Sequence, residues 1–265
     1  MLNAKALEIN PVSVEKKVVK FISNQTAGAG SNGAVVSISG GIDSATTLVL
    51  LSKALAPDRI SAIAMPERGV TPESDITDAL EVAKMCGVTC DIVDITPVTQ
   101  AVFSILPNYE ERDVISAGNV KARARMIVNY YYANRLGRMV IGTSNKSELL
   151  TGYFTKYGDG AADILPLGDL YKTQLRQLAQ YLRIPRHIIE KAPSARLWPG
   201  QTTEGELGVK YEVLDLILYG WEHGMTEELV AKDLDLDVTV VKGVYNRIAR
   251  NAHKRAFPII LRLRD

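Results

Sequence analysis

The stretch Gly33-Ala-Val-Val-Ser-Ile-Ser-Gly-Gly-Ile-Asp-Ser-Ala-Thr-Thr-Leu48 limits what this chain can fold into more than any other. Ala34, Val35, Val36 and Ile38 make a short apolar run rich in β-branched residues and bounded by glycine, the pattern of a buried strand. Ser39-Gly40-Gly41 interrupts it. Asp43-Ser44 is expected to cap a helix whose first turns are Ala45 to Leu51. A strand, a glycine loop and a helix start aim backbone N–H groups and the positive end of a helix at an anion. Gly40 and Gly41 permit positive φ and leave room for phosphate oxygens beside the backbone. No Gly-Lys-Ser/Thr follows, so the loop is not a Walker A motif. Its hydroxyls (Ser37, Ser39, Ser44) and one carboxylate, Asp43, instead suggest a pyrophosphate cradle with a metal site. An ordinary tight turn accounts for Gly-Gly, but not for the whole Ser-x-Ser-Gly-Gly-x-Asp-Ser pattern.

Around this loop the hydrophobic pattern alternates. Residues 11–25 read as an amphipathic helix and 27–33 as a connector. A helix over 44–56 is followed by a strand over Arg59–Met65. A helix with Pro72 in its first turn runs to Met85, then come a strand over Val88–Ile95 and a helix from Thr96 to Leu106. Pro107–Gly118 reads as irregular, Asn119–Arg135 as a helix, and Arg138–Thr143 as a strand. A helix beginning near Lys172 runs to Arg183, and Ala192–Thr203 reads as a mobile flap. Tyr211–Trp221, Thr226–Leu234 and Asp237–Arg250 form a terminal helical cluster. Repeated β-α units call for an α/β, doubly wound, mainly parallel sheet with helices on both faces, plus C-terminal helices. Ligands of such sheets sit off the carboxyl ends of the strands, where the glycine loop lies. The chain is expected to be a single domain over 1–265. Residues 1–32 form an N-terminal helix and connector, 33–183 a nucleotide-binding core, and 184–265 a flap with C-terminal helices.

Thirty-one basic against 30 acidic residues give a net charge of +1, so nothing global favours nucleic acid or a membrane surface. The longest apolar run is far below the ~20 residues needed to span a bilayer. Cys86 and Cys90 read as two buried thiols in a reducing, cytoplasmic setting, because no second Cys/His pair completes a zinc site. Gly142–Pro166 is the second informative stretch, carrying Glu148, Asp159 and Asp163 with two lysines after a strand. Glu148 is placed to share a magnesium with Asp43, since a hard cation on ATP phosphates takes one or two carboxylates; a plain capping or surface role is its alternative. Asn119 and Arg123, four apart on one helix face, are placed to address an anion.

Together these stretches resemble a known family. Ser37-Ile-Ser-Gly-Gly-Ile-Asp-Ser44 resembles the pyrophosphatase-loop ATPases, which cleave ATP between its α and β phosphates and share an adenine-nucleotide alpha-hydrolase-like fold. Five further stretches narrow this to the NAD synthetases, in that family's order and over nearly the whole chain. They are Gly118-Asn-Val-Lys-Ala-Arg-Ala-Arg-Met126, Gly142-Thr143 with Glu148, Thr151-Gly-Tyr-Phe-Thr-Lys-Tyr-Gly-Asp-Gly160, Lys191-Ala-Pro-Ser-Ala-Arg-Leu-Trp-Pro-Gly-Gln201 and His253-Lys254. The resemblance implies that Ser37, Ile38, Ser39, Gly40, Gly41, Ile42, Asp43 and Ser44 hold ATP, with Thr143, Lys172 and Ser194. Many members have threonine where this chain has Ser194, which keeps the hydroxyl. Asp43 and Glu148 would bind Mg2+. Arg123, Lys156, Asp163, His253 and Lys254 would hold deamido-NAD. Gly142-Thr-Ser-Asn-Lys-Ser-Glu looks like the archaeal and glutamine-dependent form of that loop rather than the Asp-His-Ala-Ala-Glu of some bacterial members.

What the resemblance implies chemically is adenylation of the nicotinate carboxylate, release of pyrophosphate, and amide formation by ammonia. Asp43 and Lys172 would act at the phosphates, and Asp159, or failing that Asp163, would accept the ammonia proton. Glutamine-dependent relatives resemble this chain fused to an amidase. Here the synthetase motifs use most of the sequence, and neither cysteine lies in a suitable site. Free ammonia, or ammonia from a separate protein, is therefore expected. Family members are similar in forming homodimers, and the helix over 120–135 is a candidate interface. A tRNA-modifying enzyme would call for a basic extension or zinc cysteines; a regulatory domain without turnover would not need Asp43, Glu148 and Lys172 together.

Overall fold

The computed structural model describes residues 2–263, and its element order follows the alternating pattern. Helix α1 (Pro11–Gly28) leads to β1 (Ala34–Ser37), α2 (Ile42–Ala54), β2 (Ile60–Ala64), α3 (Glu73–Met85) and β3 (Cys90–Ile92). Then come α4 (Thr96–Ile105), α5 (Val114–Leu136), β4 (Met139–Ile141), α6 (Lys146–Thr151), α7 (Lys172–Tyr181) and α8 (Arg186–Ile189). Helices α9 (Thr203–Leu207), α10 (Tyr211–Glu222), α11 (Glu227–Leu234) and α12 (Val238–Arg250) follow, and a short 3-10 turn over Ala252–Lys254 comes after them. The four strands pair in the order β3-β2-β1-β4, all parallel. Chain order therefore reverses between β1 and β4, and a crevice opens off their carboxyl ends.

Successive β1 side chains point to opposite faces, and each face has its own core. Ala34 and Val36 pack with Ile22 of α1, Leu48 and Leu51 of α2, and Leu175 and Leu178 of α7. Val35 packs on the other face with Ile63, Val140 and Ala133 of α5. Helix α2 is buried along nearly its whole length. Its threonines are tolerated because Thr46 and Thr47 return their hydroxyls to the Ile42 and Asp43 carbonyls, at 2.7 and 2.9 Å. A third cluster joins α10, α11 and α12 to Leu2, Leu7 and Tyr171. Among the described residues no helix is long and apolar enough to cross a membrane.

Several boundaries differ from the sequence reading, each for a local reason. Helix α2 starts at Ile42 with Gly41 as its cap residue, not with Asp43-Ser44. Ser44 Oγ instead accepts from Ser39 N (3.1 Å) and donates to the Gly41 carbonyl (3.0 Å), which frees Asp43. Pro72 is the cap residue of α3 rather than part of its first turn. The strand expected over Val88–Ile95 shrinks to Cys90–Ile92, because the Asp94 carboxylate turns to cap the backbone of Thr96 at 2.8 Å. The stretch expected to be irregular up to Gly118 already contains the start of α5, since Asp113 caps Ser116 N at 3.0 Å. Cys86 and Cys90 are free and half-buried against the core rather than fully buried. Burial of both, the larger influence, pushes their thiols up and makes them less reactive.

Candidate active site

Gly40 turns the chain out of β1 with φ +73°, and a Cβ there would lie 2.2 Å from the Asp75 carbonyl oxygen. Only glycine meets both conditions. Gly40→Ala is accordingly expected to displace the loop from α3. The left-handed backbone alone costs about 1–2 kcal/mol, and the loss is measurable as a lower midpoint in urea together with weaker nucleotide binding. Inside the turn, the Ser39 and Ser44 hydroxyls lie 3.2 Å apart. Ser37 Oγ donates to Asn129 Oδ1 at 2.9 Å and lies 2.7 Å from its Nδ2, tying β1 to α5.

Asp43 is the hub. One of its oxygens accepts from Asn145 Nδ2 at 2.8 Å, and the other pairs with Lys172 Nζ. Lys172 is 2% exposed, a lysine on the first residue of α7 whose ammonium lies over the Tyr211 ring, 5.5 Å from its centroid. A buried lysine of this kind needs its carboxylate partner. Asn145 also caps α6, accepting from Glu148 N at 3.0 Å, while Glu148 Oε2 accepts from Asn145 N at 3.2 Å. The capping role weighed for Glu148 is therefore real, but it coexists with a place beside Asp43. Burial first, then the negative charge of Asp43, pushes the Glu148 carboxyl well up, with Lys172 opposing. A buried carboxyl facing a second carboxylate fits a shared hard cation: the donors are oxygens, and a divalent charge would relieve the repulsion on Glu148.

Two further helices are fastened to this hub by Asp215 of α10, which is completely buried. It accepts from Ser147 Oγ at 2.5 Å and from Thr173 N at 2.8 Å, and Ser147 Oγ in turn accepts from Lys172 N at 2.9 Å. Ser147 precedes Glu148, and Thr173 follows Lys172. A single carboxylate thus sets the relative position of α6 and α7.

The hub opens into a cavity of about 410 Å³, bounded by the glycine loop, the carboxyl ends of β2 and β4, α5 and the stretch 191–203. Ser37 to Ser44, apart from buried Gly40, face it, with Thr143, Glu148, Lys172 and Ser194. Asp159 and Lys254 also line it. Thr155 N holds Asp159 at 2.8 Å, and the protein crowded around that recess pushes its carboxyl up. Lys254 is spoken for by the Gly152 and Phe154 carbonyls, at 2.7 and 2.9 Å.

The other residues assigned to deamido-NAD do not line the cavity. Arg123 is exposed and donates to the Lys156 carbonyl at 3.2 Å, and Lys156 Nζ donates to the His253 carbonyl at 2.7 Å. These three form one patch on the outer rim. Asp163 stands apart at the sheet edge, where it accepts from Val140 N at 2.7 Å and from the Tyr130 hydroxyl at 3.3 Å. Asn119 lines the cavity and accepts from the Thr155 hydroxyl at 2.8 Å, so the Asn119–Arg123 face also holds the 155–156 loop.

The sequence reading gave no site role to Asn145, Asp215 or Arg125. Ser144 to Glu148 reads in the sequence as a capping segment, and the capping box of Asn145 and Glu148 is present, but the Asn145 bond to Asp43 had no local signal. Asp215 carried no local signal, since its partners lie 42 and 68 residues away. Arg125 sits two residues from Arg123, hence on the opposite side of α5. It reaches the cavity wall with its Nε on the Met65 carbonyl at 3.1 Å, and burial, the leading influence, lowers its pKa.

Comparison with known proteins agrees with this layout. The family model described as NAD synthase matches residues 14–258. The NH3-dependent NAD(+) synthetase of Archaeoglobus fulgidus is 46% identical, covering 97% of this chain and 99% of its own. The structure of NMN synthetase from Francisella tularensis superposes with a TM-score of 0.84 at 34% identity, covering 96% of this chain and 99% of that one. The NH3-dependent NAD synthetase of Campylobacter jejuni, solved with nitrate, gives 0.81 at 31% identity, covering 96% and 100%. A glycine loop, two facing carboxylates and a buried lysine at the reversal point of a parallel sheet, in a chain matched almost end to end, identify it as a member of the NAD synthase family.

Proposed function

We infer that this chain is a ligase that makes NAD from deamido-NAD and ammonia, converting ATP to AMP and pyrophosphate. One observation carries the reading. Lys172 and Glu148 converge on Asp43 where the glycine loop meets a cavity, an arrangement suited to the polyphosphate of ATP.

A carboxylate is a poor acylating agent, so the nicotinate carboxylate of deamido-NAD first attacks the α-phosphorus and pyrophosphate leaves. Ammonia then attacks the acyl carbon, the C–O bond to phosphate breaks, and NAD and AMP depart. The loop N–H groups and the Lys172 ammonium offset charge on the departing pyrophosphate. Asp43 and Glu148 would hold magnesium, which supplies further positive charge at the phosphate oxygens when bound. Asp159 opens onto the cavity, whereas Asp163 is committed at the sheet edge, so Asp159 takes the proton released by ammonia. The rim patch of Arg123, Lys156 and His253 suits the far end of deamido-NAD. We further propose a cytoplasmic homodimer in which α5 packs against its partner: Ile127 and Tyr131 are 59% and 60% exposed. Ammonia arrives free or from a separate protein.

Glu148→Gln tests the metal assignment cleanly. Glutamine keeps the capping box but removes the charge. The Mg2+ concentration for half-maximal rate is expected to rise at least about tenfold with the melting temperature little changed; an unaltered magnesium dependence removes Glu148 from the metal site. The activity itself is tested by incubating the protein with ATP, MgCl2, ammonium chloride and deamido-NAD. NAD and AMP are expected in equal amounts, and ADP or no NAD refutes the reading. A parallel incubation with nicotinate mononucleotide separates the activity named for the Francisella neighbour.

A further inference from the structure

We propose that Asp75 is a positioning residue that latches the 191–203 segment over the ATP end of the cavity, so that the segment and the glycine loop move as one unit. This rests on reading the cavity as an ATP site. Asp75 lies on α3, 3% exposed. Its Oδ1 accepts from Lys191 Nζ at 3.0 Å and its Oδ2 from Arg196 Nε at 2.8 Å. Both cations belong to the segment that carries Ser194. Lys191 Nζ also donates to the Gly40 carbonyl at 3.1 Å, and the Asp75 backbone occupies the space that a side chain on Gly40 would fill. Asp78 of α3 also pairs with Lys191 Nζ, but only Asp75 takes both cations of the segment, beside the glycine loop.

The segment also shows the cost of being held. Arg196 has φ +52°, a left-handed conformation that a residue with a side chain adopts only when something compensates. Its guanidinium on Asp75 is that compensation. A second clasp acts at the far side: the buried Lys121–Glu67 pair (2.8 Å) points Lys121 Nζ at the Leu197 carbonyl, also 2.8 Å. Gly118 lets the segment approach this closely, because a Cβ there would sit 3.0 Å from Leu197 Cβ. Buried charge pairs contribute little net stability but fix one arrangement against others. Here the arrangement fixed is that of Ser194 relative to Gly40 and Gly41.

The test compares Asp75→Asn, Asp75→Glu and Arg196→Gln in the full chain. Asp75→Asn is expected to weaken ATP binding about tenfold by calorimetry and to raise KM for ATP similarly. Turnover at saturating ATP should stay within about twofold, since ATP binding energy re-forms the closed arrangement. Without ATP, trypsin should cut this variant after Lys191 and Arg196 about tenfold faster than wild type, and Asp75→Glu should recover part of both effects. Arg196 is one-third exposed in its side chain, so Arg196→Gln spares the fold and should weaken ATP binding in the same direction. Unchanged ATP affinity and unchanged cleavage in folded variants overturn the latch. If Asp75→Asn does not fold, an unaltered ATP affinity in Arg196→Gln overturns it alone. Wild-type protein that binds no ATP would instead refute the ATP site, a separate failure.

Discussion

Lys172→Met is expected to lower turnover by about 10²–10³-fold, the effect of removing one preorganised cationic donor from a charge-developing site. Methionine keeps an unbranched side chain but removes the ammonium that pairs with Asp43 and lies over the Tyr211 ring. Asp43 and Glu148 would then face each other with only Asn145 between their demands. The magnesium requirement should therefore rise along with the loss in kcat. The fold should survive, because the Asp43 side chain is partly open to the cavity (19% exposed) and can be solvated. Steady-state kinetics and a melting curve on the same preparation check both parts. A variant within about tenfold of wild type would remove Lys172 from the chemistry.

Asp215→Ala should damage stability and activity together. The Ser147 hydroxyl and the Thr173 N–H lose their buried acceptor, and each such loss costs about 1–3 kcal/mol. For a chain of this size that lowers the melting temperature by roughly 5–15 °C. Turnover should fall as well, since α6 and α7 carry Glu148 and Lys172. Asp215→Asn gives a pH signature. Burial, opposed by the bonds from Ser147 and Thr173, pushes the Asp215 carboxyl up to about 6 in the folded chain, against about 3.9 when unfolded. A raised folded pKa means that the folded state binds the proton more tightly. This residue's contribution to stability is therefore complete below about pH 4 and is lost as pH rises through about 6. The stability difference between wild type and Asp215→Asn should shrink across that interval with increasing pH. A difference that stays flat contradicts the buried, raised carboxyl.

How much of this was legible in the sequence follows from the range of the forces involved. The glycine loop was readable because a strand, a positive-φ turn and a helix start are local: Gly40 needs only its neighbours in sequence to declare itself. The parallel sheet followed from the β-α alternation, and β1 and β2 were found almost to the residue. Boundaries failed where one polar side chain overrode the pattern. Asp94 ended β3 early, and Asp113 began α5 early. Asp43 could be named from the loop pattern and Lys172 through family resemblance, but not their direct pairing, which spans 129 residues. Asp75 and Asp215 were invisible for the same reason. Each looks like an ordinary helical carboxylate until tertiary contacts bring its partners to it.

The central claim is that the substrate carboxylate, not water, captures the α-phosphorus of ATP. It is tested most directly by supplying deamido-NAD whose nicotinate carboxylate carries ¹⁸O, with ATP, MgCl2 and ammonia, and analysing the nucleotide product by mass spectrometry. One ¹⁸O should appear in the phosphate of AMP, in step with NAD formation. AMP without the label, or ADP in its place, would contradict the account.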